Sequence, residues 1–344
     1  MSAEPLAVPS LLTRLPLVTL YLTERCNSRC VTCDYWRHGR DDMDLAAVSR
    51  LLPSLAAMQT RLALLSGGEP LLNPEWASIA QTLRTAGLRV WLLTSGLALA
   101  KHARRAAELI DAVTVSLDGT DRKTYAAIRG LDAFDKVCEG IRAAVDQGIA
   151  PGLRVTLQRE NFRQLPAFVR LAKDLGARGV SFLAVDVANP HAFGRTDDFV
   201  SDLALRPEDL PAFEQILDIL QKDHEEDFRS GFIAESPQKL RRILQYFRAV
   251  QGLASYPTVR CNAPEISAVV GAAGRVQPCF FITGPAGARL PRDDESSDAF
   301  AQVLNREDMA ELRAAIRTGA RAECRTCVCS LWRDPGSVSW NALS

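Results

Sequence analysis

Nine cysteines in 344 residues are the part of this sequence best suited to chemistry. Three of them, Cys26, Cys30 and Cys33, fall as C-x3-C-x2-C just behind an apolar, β-branched run, Leu17–Thr23. Three thiolates on one loop suit a soft metal centre. Iron–sulfur clusters usually take four cysteines, so a three-cysteine loop leaves one iron of a cubane without a protein ligand and free to bind a small chelating molecule. A zinc site closes with a fourth protein ligand, for which His38 stands nearby; three unrelated core cysteines are the third alternative. Far along the chain Cys261 and Cys279 bracket Gly274 as C-x12-G-x4-C, and Cys324, Cys327 and Cys329 follow in a short terminal segment. Cys138, inside an amphipathic stretch, reads as a small core residue.

Elements must hold these residues in place, and the chain between Leu17 and Asp186 supplies them. Strands are expected at Leu17–Thr23, Leu62–Ser66, Arg89–Thr94, Ala112–Asp118, Leu153–Gln158 and Gly179–Val185, with helices at Leu45–Met58, Glu75–Ala86, Ala98–Leu109, Asp132–Gln147 and Gln164–Leu175. Several of these helices stop at a glycine, such as Gly87, Gly148 or Gly176, as helix ends do. Six β-then-α units imply a parallel sheet covered by helices, either doubly wound or a partial (β/α) barrel. In both, the loop after the first strand lies at the carboxyl edge where sites are built. Beyond Val187 two further helices are expected at Glu208–Lys222 and Pro237–Val250. A hairpin of Ile266–Val270 and Arg275–Pro278 and a helix near Glu307–Arg317 follow.

Composition narrows the partners. Lys plus Arg and Asp plus Glu both number 41, so no global field draws in nucleic acid or an anionic membrane. The early apolar run Leu11–Leu22 is broken by Arg14 and Pro16, too short for a membrane span, and no secretory signal pattern opens the chain. A cytoplasmic location is the expectation. In that reducing compartment an odd number of cysteines does not read as a disulfide framework, which leaves metal binding in front.

The loop Cys26-Asn27-Ser28-Arg29-Cys30-Val31-Thr32-Cys33, with Ser66-Gly67-Gly68-Glu69-Pro70 after the second strand and Ser116-Leu117-Asp118-Gly119 after the fourth, resembles the radical S-adenosylmethionine (SAM) superfamily. The likeness covers about residues 16–190. It implies an α/β fold, a partial (β/α)6 TIM-like barrel in residues 1–205, then a helical linker in 206–255 and a small C-terminal α+β domain in 256–344. It further implies that Cys26, Cys30 and Cys33 hold a [4Fe-4S] cluster with SAM on its open iron. Gly67, Gly68 and Glu69 would receive the methionyl ammonium, Thr94, Ser95, Ser116 and Asp118 would line the cofactor, and Arg129 would neutralise its carboxylate. The family commonly has an aromatic residue before the third cysteine; here it is Thr32, with Tyr35 or Trp36 as substitutes.

The terminal cysteines resemble the twitch module, a shortened relative of the SPASM auxiliary-cluster domain. That resemblance assigns Cys261, Cys279, Cys324 and Cys327 to one auxiliary [4Fe-4S] cluster. No cysteine beyond Cys329 remains for a second, and Cys329 is either an alternative to Cys327 or an ordinary thiol. The implied enzyme takes an electron from a donor such as flavodoxin or ferredoxin and cleaves SAM to a 5′-deoxyadenosyl radical. It then removes a substrate hydrogen and acts as an oxidoreductase on a small carbohydrate-like or natural-product molecule. His191 and Arg195 are the catalytic candidates, with Asp186, Asn189 and Glu235 also placed to meet substrate. A peptide- or protein-modifying maturase is the alternative, disfavoured by the lack of room before Leu17 for a leader-binding domain. A non-enzymatic protein with two zinc sites is the remaining one.

Overall fold

The computed structural model describes residues 11–189, 192–195, 201–290 and 298–333. Six strands run parallel: β1 (Leu17–Thr23), β2 (Leu62–Gly67), β3 (Arg89–Thr94), β4 (Ala112–Ser116), β5 (Gly152–Leu157) and β6 (Gly179–Ala184). Each pairs with its predecessor. A doubly wound sheet reverses its strand order at a switch point; here the order from one to six never reverses, which is how a (β/α) barrel winds. Strand order thus decides between the two folds that the sequence pattern left open.

Side chains alternate along β5 and β6, one row fully buried and the other half-exposed. The buried row joins one core with Val48, Leu51 and Leu55 of the helix Leu45–Ala57 and Val137, Ile141 and Ala144 of the helix Phe134–Asp146. The half-exposed row faces the barrel interior, as the period of two requires. Asp44 opens the first of these helices by accepting the Ala47 N–H at 2.6 Å, a cap that satisfies an otherwise orphan donor.

The helix Arg122–Arg129 is absent from the sequence expectations: it is only eight residues long and mostly polar, with Tyr125 and Ile128 the large apolar side chains on its buried side. Its signals are local: Asp121 accepts the Thr124 N–H at 2.8 Å, and Gly130 ends it at φ +72. A Cβ on Gly130 would stand 2.2 Å from the Arg29 carbonyl oxygen, so only glycine lets this helix end dock on the cysteine loop. The docking uses the Arg29 and Val31 N–H groups, which donate to the Arg129 and Ile128 carbonyls.

The C-terminal hairpin does not build a sheet of its own. β7 (Ser267–Val270) lies parallel beside β1 and turns into antiparallel β8 (Val276–Gln277), giving one eight-stranded sheet ordered β6-β5-β4-β3-β2-β1-β7-β8. Without β7 the first strand would present a bare edge of unpaired N–H and C=O groups. Residues 331–333 are then clasped back: buried Asn262 gives its Nδ2–H to the Arg333 carbonyl and accepts the Arg333 N–H, and its own N–H meets the Leu331 carbonyl. No described helix is long and apolar enough to cross a membrane.

Candidate active site

The loop after β1 carries Cys26, Cys30 and Cys33, all half-buried and none in a disulfide. The Ser28 N–H points at Cys26 Sγ at 3.4 Å, and the Tyr35 N–H serves Cys33 in the same way. Cys30 instead meets the guanidinium of Arg129, Nη1 to Sγ 3.5 Å. Burial pushes the Cys26 thiol up to about 11 and that of Cys33 to about 12. A coordinating metal deprotonates such thiols outright, and donors aimed at sulfur then stabilise the thiolates. The donor set fits an iron–sulfur cluster. Among the described residues no group of three His, Cys, Asp or Glu side chains is drawn together closely enough to hold a single metal ion.

The carboxyl edges of β2 to β4 place the next residues. Gly67 has φ +123, and a Cβ on Gly68 would lie 2.1 Å from the Arg25 carbonyl oxygen, so the two strand-end loops touch backbone to backbone. Glu69 is fully buried. Its Oε1 accepts the Thr94 hydroxyl at 2.7 Å and the Leu71 N–H at 3.2 Å, and its Oε2 accepts the Ser95 N–H at 2.7 Å. Burial nonetheless pushes its carboxyl up, and a cation brought beside it would lower it again. Ser95 Oγ donates to Asn27 Oδ1 within the cysteine loop.

Asp118 is 2% exposed and pairs with Arg129, Nε to Oδ2 2.8 Å, while its Oδ1 accepts the Thr156 N–H. Burial raises its carboxyl against the pull of both donors. Arg129 is thus no surface charge: it is buried between a carboxylate and a cysteine of the loop. Ser116 ends β4, half-exposed on the interior side. The structure brings Gly67, Gly68, Glu69, Thr94, Ser95, Asp118 and Arg129 together around the cysteine loop.

Arg195, offered as a catalytic residue, is 5% exposed and braces the loops, donating to the carbonyls of Asp186, Asn189 and Thr32 at 2.7, 3.2 and 3.1 Å. His191 lies outside the described residues. Asp186 accepts the Ala188 and Asn189 N–H groups, Asn189 donates to the Phe281 carbonyl, and Glu235 accepts the Ser181 hydroxyl and the Phe182 N–H. Of the proposed aromatic substitutes, Trp36 lies under Arg37 at 4.5 Å, whereas Tyr35 packs edge-on against Tyr21 with centroids 5.7 Å apart.

The second set of cysteines gathers beside the hairpin. Cys279 feels the charges of Cys261 and Cys324, and Cys327 those of Cys329, Cys279 and Cys261. The Phe281 N–H donates to Cys279 Sγ and the Cys329 N–H to Cys327 Sγ, both at 3.4 Å, repeating the pattern of the first loop. Burial raises Cys279 to about 12 and Cys324 to about 11. Cys138 is buried in the core. Tyr21, which sequence reading passed over as a strand residue, stands within electrostatic reach of both Cys33 and Cys279 and packs on Phe280. A cavity of about 530 Å³ opens there, walled by Tyr21, Tyr35, Gly67 and Gly68 on one side and by Gly271, Gln277 and Arg289 on the other.

Residues 20–172, less than half of the chain, match the model of the Radical SAM superfamily. Among curated proteins it is similar to the Fe-coproporphyrin III synthase of Methanosarcina barkeri, 29% identical over 62% of this chain and 53% of that protein. It is also similar to the probable GTP 3′,8-cyclase of Methanopyrus kandleri, 37% identical over 46% of this chain and 53% of the relative. The chain spans about half the length of the curated relatives it matches. Two solved structures share the fold. SuiB of Streptococcus suis bound to S-adenosylmethionine has TM-score 0.63 and 13% identity, covering 93% of this chain and 74% of that one. AnSMEcpe with bound AdoMet has TM-score 0.64 and 19% identity, covering 91% and 86%.

Proposed function

We propose that this chain is a radical SAM oxidoreductase with one auxiliary cluster, acting on a small carbohydrate-like or natural-product substrate. The observation that carries it is the repeated construction of two cysteine sites: N–H groups two residues on point at Cys26, Cys33, Cys279 and Cys327. When bound, the cluster on the first loop supplies the electron that splits SAM into methionine and a 5′-deoxyadenosyl radical. The chain's residues do the rest. Glu69 receives the methionyl ammonium as a charge-assisted partner, Gly67 and Gly68 let the backbone approach, and Arg129 meets the carboxylate. The cavity walls hold one substrate C–H bond in place and keep water away.

Loss of that hydrogen atom followed by one electron and one proton makes a two-electron oxidation, an alcohol to a ketone for instance. Cys261, Cys279, Cys324 and Cys327 would hold a second cluster with four thiolates, and the chemistry such a group would supply is to accept that electron. A flavodoxin- or ferredoxin-like reductant feeds the first. The cavity's size falls in the range of small-molecule pockets, which favours a small substrate. The division into a core to 205, a linker to 255 and an auxiliary unit beyond belongs to the same proposal. A peptide substrate is the second reading, supported by the shared fold of SuiB bound to its precursor peptide SuiA and of anSMEcpe with a bound peptide.

Anaerobic reconstitution tests the reading. About eight irons per chain, as two four-iron clusters require, with 5′-deoxyadenosine formed only when dithionite is present, are expected. A colourless protein that takes up zinc and makes no 5′-deoxyadenosine would sink it.

A further inference from the structure

Arg275 and Arg289 stand opposite one another on two antiparallel segments of the C-terminal unit. The Val276 N–H donates to the Ala288 carbonyl and the Leu290 N–H to the Gly274 carbonyl, both at 2.8 Å, so the arginines occupy the position between the two bonds. In a pair of that kind the facing Cα atoms come within about 4.5 Å and the side chains lie closest. Alternation sets their direction: Val276 and Ala288 are fully buried, whereas Arg275, Gln277 and Arg289 line the cavity of about 530 Å³. Like charges directly opposite each other destabilise a sheet, and among the described residues neither arginine forms an ion pair that would offset this. Both residues are exposed to whatever enters the cavity. Arg289 Nη2 donates to the Ala273 carbonyl at 2.7 Å, which ties its guanidinium to the turn at residues 271–274.

The other charged groups of the cavity are differently engaged. Arg195 donates to three backbone carbonyls. Glu24 and Asp41 lie on the β1 side, where Glu24 Oε2 accepts the Arg40 and Asp41 N–H groups at 3.1 and 3.3 Å. Tyr21 and Gly68 belong to that same side, so a molecule held by one end at the arginines presents its other end toward the first cysteine loop. Guanidinium forks match the oxygens of carboxylate and phosphate groups. A phosphate monoester brings about −1.5 to −2 charges near neutral pH and three strong acceptor oxygens, enough to answer both arginines at once. A single carboxylate would leave one of the two charges uncompensated.

We infer that the substrate of this cavity is a phosphorylated small molecule whose phosphate sits between Arg275 and Arg289; this rests on the radical SAM reading above and adds the charged group to its substrate. The probes are inorganic phosphate and acetate, titrated calorimetrically into the anaerobically reconstituted protein at low ionic strength, where screening is least. Wild type is expected to bind phosphate more tightly than acetate. Arg275→Gln and Arg289→Gln are each expected to weaken phosphate binding about tenfold. Arg275→Lys, which keeps the charge and loses the fork, is expected to weaken it less. Without phosphate, Arg275→Gln is expected to melt at or above wild type, because the facing charges are relieved. Equal phosphate affinity in wild type and both glutamine variants overturns the inference, as does a lowered melting temperature with unchanged affinity, which marks the pair as structural. Acetate bound as tightly as phosphate overturns the assignment to a phosphate. Wild type that makes 5′-deoxyadenosine with dithionite but binds no phosphate sinks this inference alone. Wild type that binds phosphate through the pair but makes no 5′-deoxyadenosine supports the anion site and sinks the radical SAM reading.

Discussion

The two proposed cluster sites use the same ligand type in opposite surroundings. Around the loop of Cys26, Cys30 and Cys33 the neighbouring groups are polar: Glu69, Asp118, Arg129 and Ser95, all buried, and half-buried Asn27. Around Cys279 and Cys324 they are apolar, with Ile282, Ile316 and Leu312 forming a small separate core. A polar, glycine-walled surround suits a charged ligand that arrives and leaves, while an apolar one with four thiolates suits a group that never exchanges. Surroundings, more than cysteine count, assign the two roles.

The sharpest way to break that comparison is to remove one cysteine from each site. Cys30→Ala is expected to abolish 5′-deoxyadenosine formation while keeping about half the iron. Cys279→Ala is expected to keep a fraction of the cleavage, uncoupled from product, and to lose the other half. Iron analysis and chromatography read both outcomes. Full product formation by Cys279→Ala would remove the electron-accepting role from the second site.

Arg129 tests whether the first site's polar surround is under electrostatic tension. Its ion pair with Asp118 is nearly solvent-free, with side-chain exposures of 11% and 3%. Arg129→Met leaves the carboxylate buried and unpaired, and an expected loss of about 3 kcal/mol in urea unfolding follows from the usual cost of breaking such pairs. Asp118→Asn combined with Arg129→Met is expected to recover part of the loss, since no charge is then stranded. A loss in the double variant equal to that of the single one would show that packing, not charge, is what Arg129 provides.

A smaller effect is expected at Glu69. Burial holds its carboxyl above the usual 4.5, so the folded protein keeps this proton longer than the unfolded chain does. At pH values below 4.5 both states are protonated. As pH climbs from there through the folded value the unfolded chain ionises first, and stability is lost. Ligand-free wild type is therefore expected to weaken over that rise relative to Glu69→Gln, which has no proton to lose. Parallel curves of urea midpoint against pH for the two proteins would show that Glu69 is not the group responsible.

How much of this was legible beforehand varied with the physics. The ends of β1 and β3 were readable to the residue, because apolar, β-branched runs flanked by polar residues leave little choice. The glycine and cysteine motifs were readable because few side chains fit such approaches and such metals. What escaped was whatever depends on contacts distant in sequence. Arg129 was reached only through the family resemblance, because its local pattern is that of a solvated helix end until Gly130 lets that end settle on the cysteine loop. Tyr21 looks like an ordinary strand residue until the fold sets it within reach of both Cys33 and Cys279. Nothing in the local pattern of Ser267–Val270 says that it will cover the edge of β1 rather than start its own sheet.

Cys329 carries the smallest expected effect and sharpens the contrast most finely. Cys329 is exposed as a residue, its thiol lies within electrostatic reach of Arg154, Lys239 and Cys261, and its backbone N–H points at Cys327. A serine keeps that N–H. Cys329→Ser is therefore expected to retain the full iron content and the same auxiliary-cluster spectrum, while Cys327→Ser is expected to lose about half the iron. If the two variants exchange these results, Cys329 is the ligand and Cys327 the bystander. The site would then be anchored on the side facing Arg154 and Lys239, and the contrast between a polar first site and an apolar second would no longer hold in its present form.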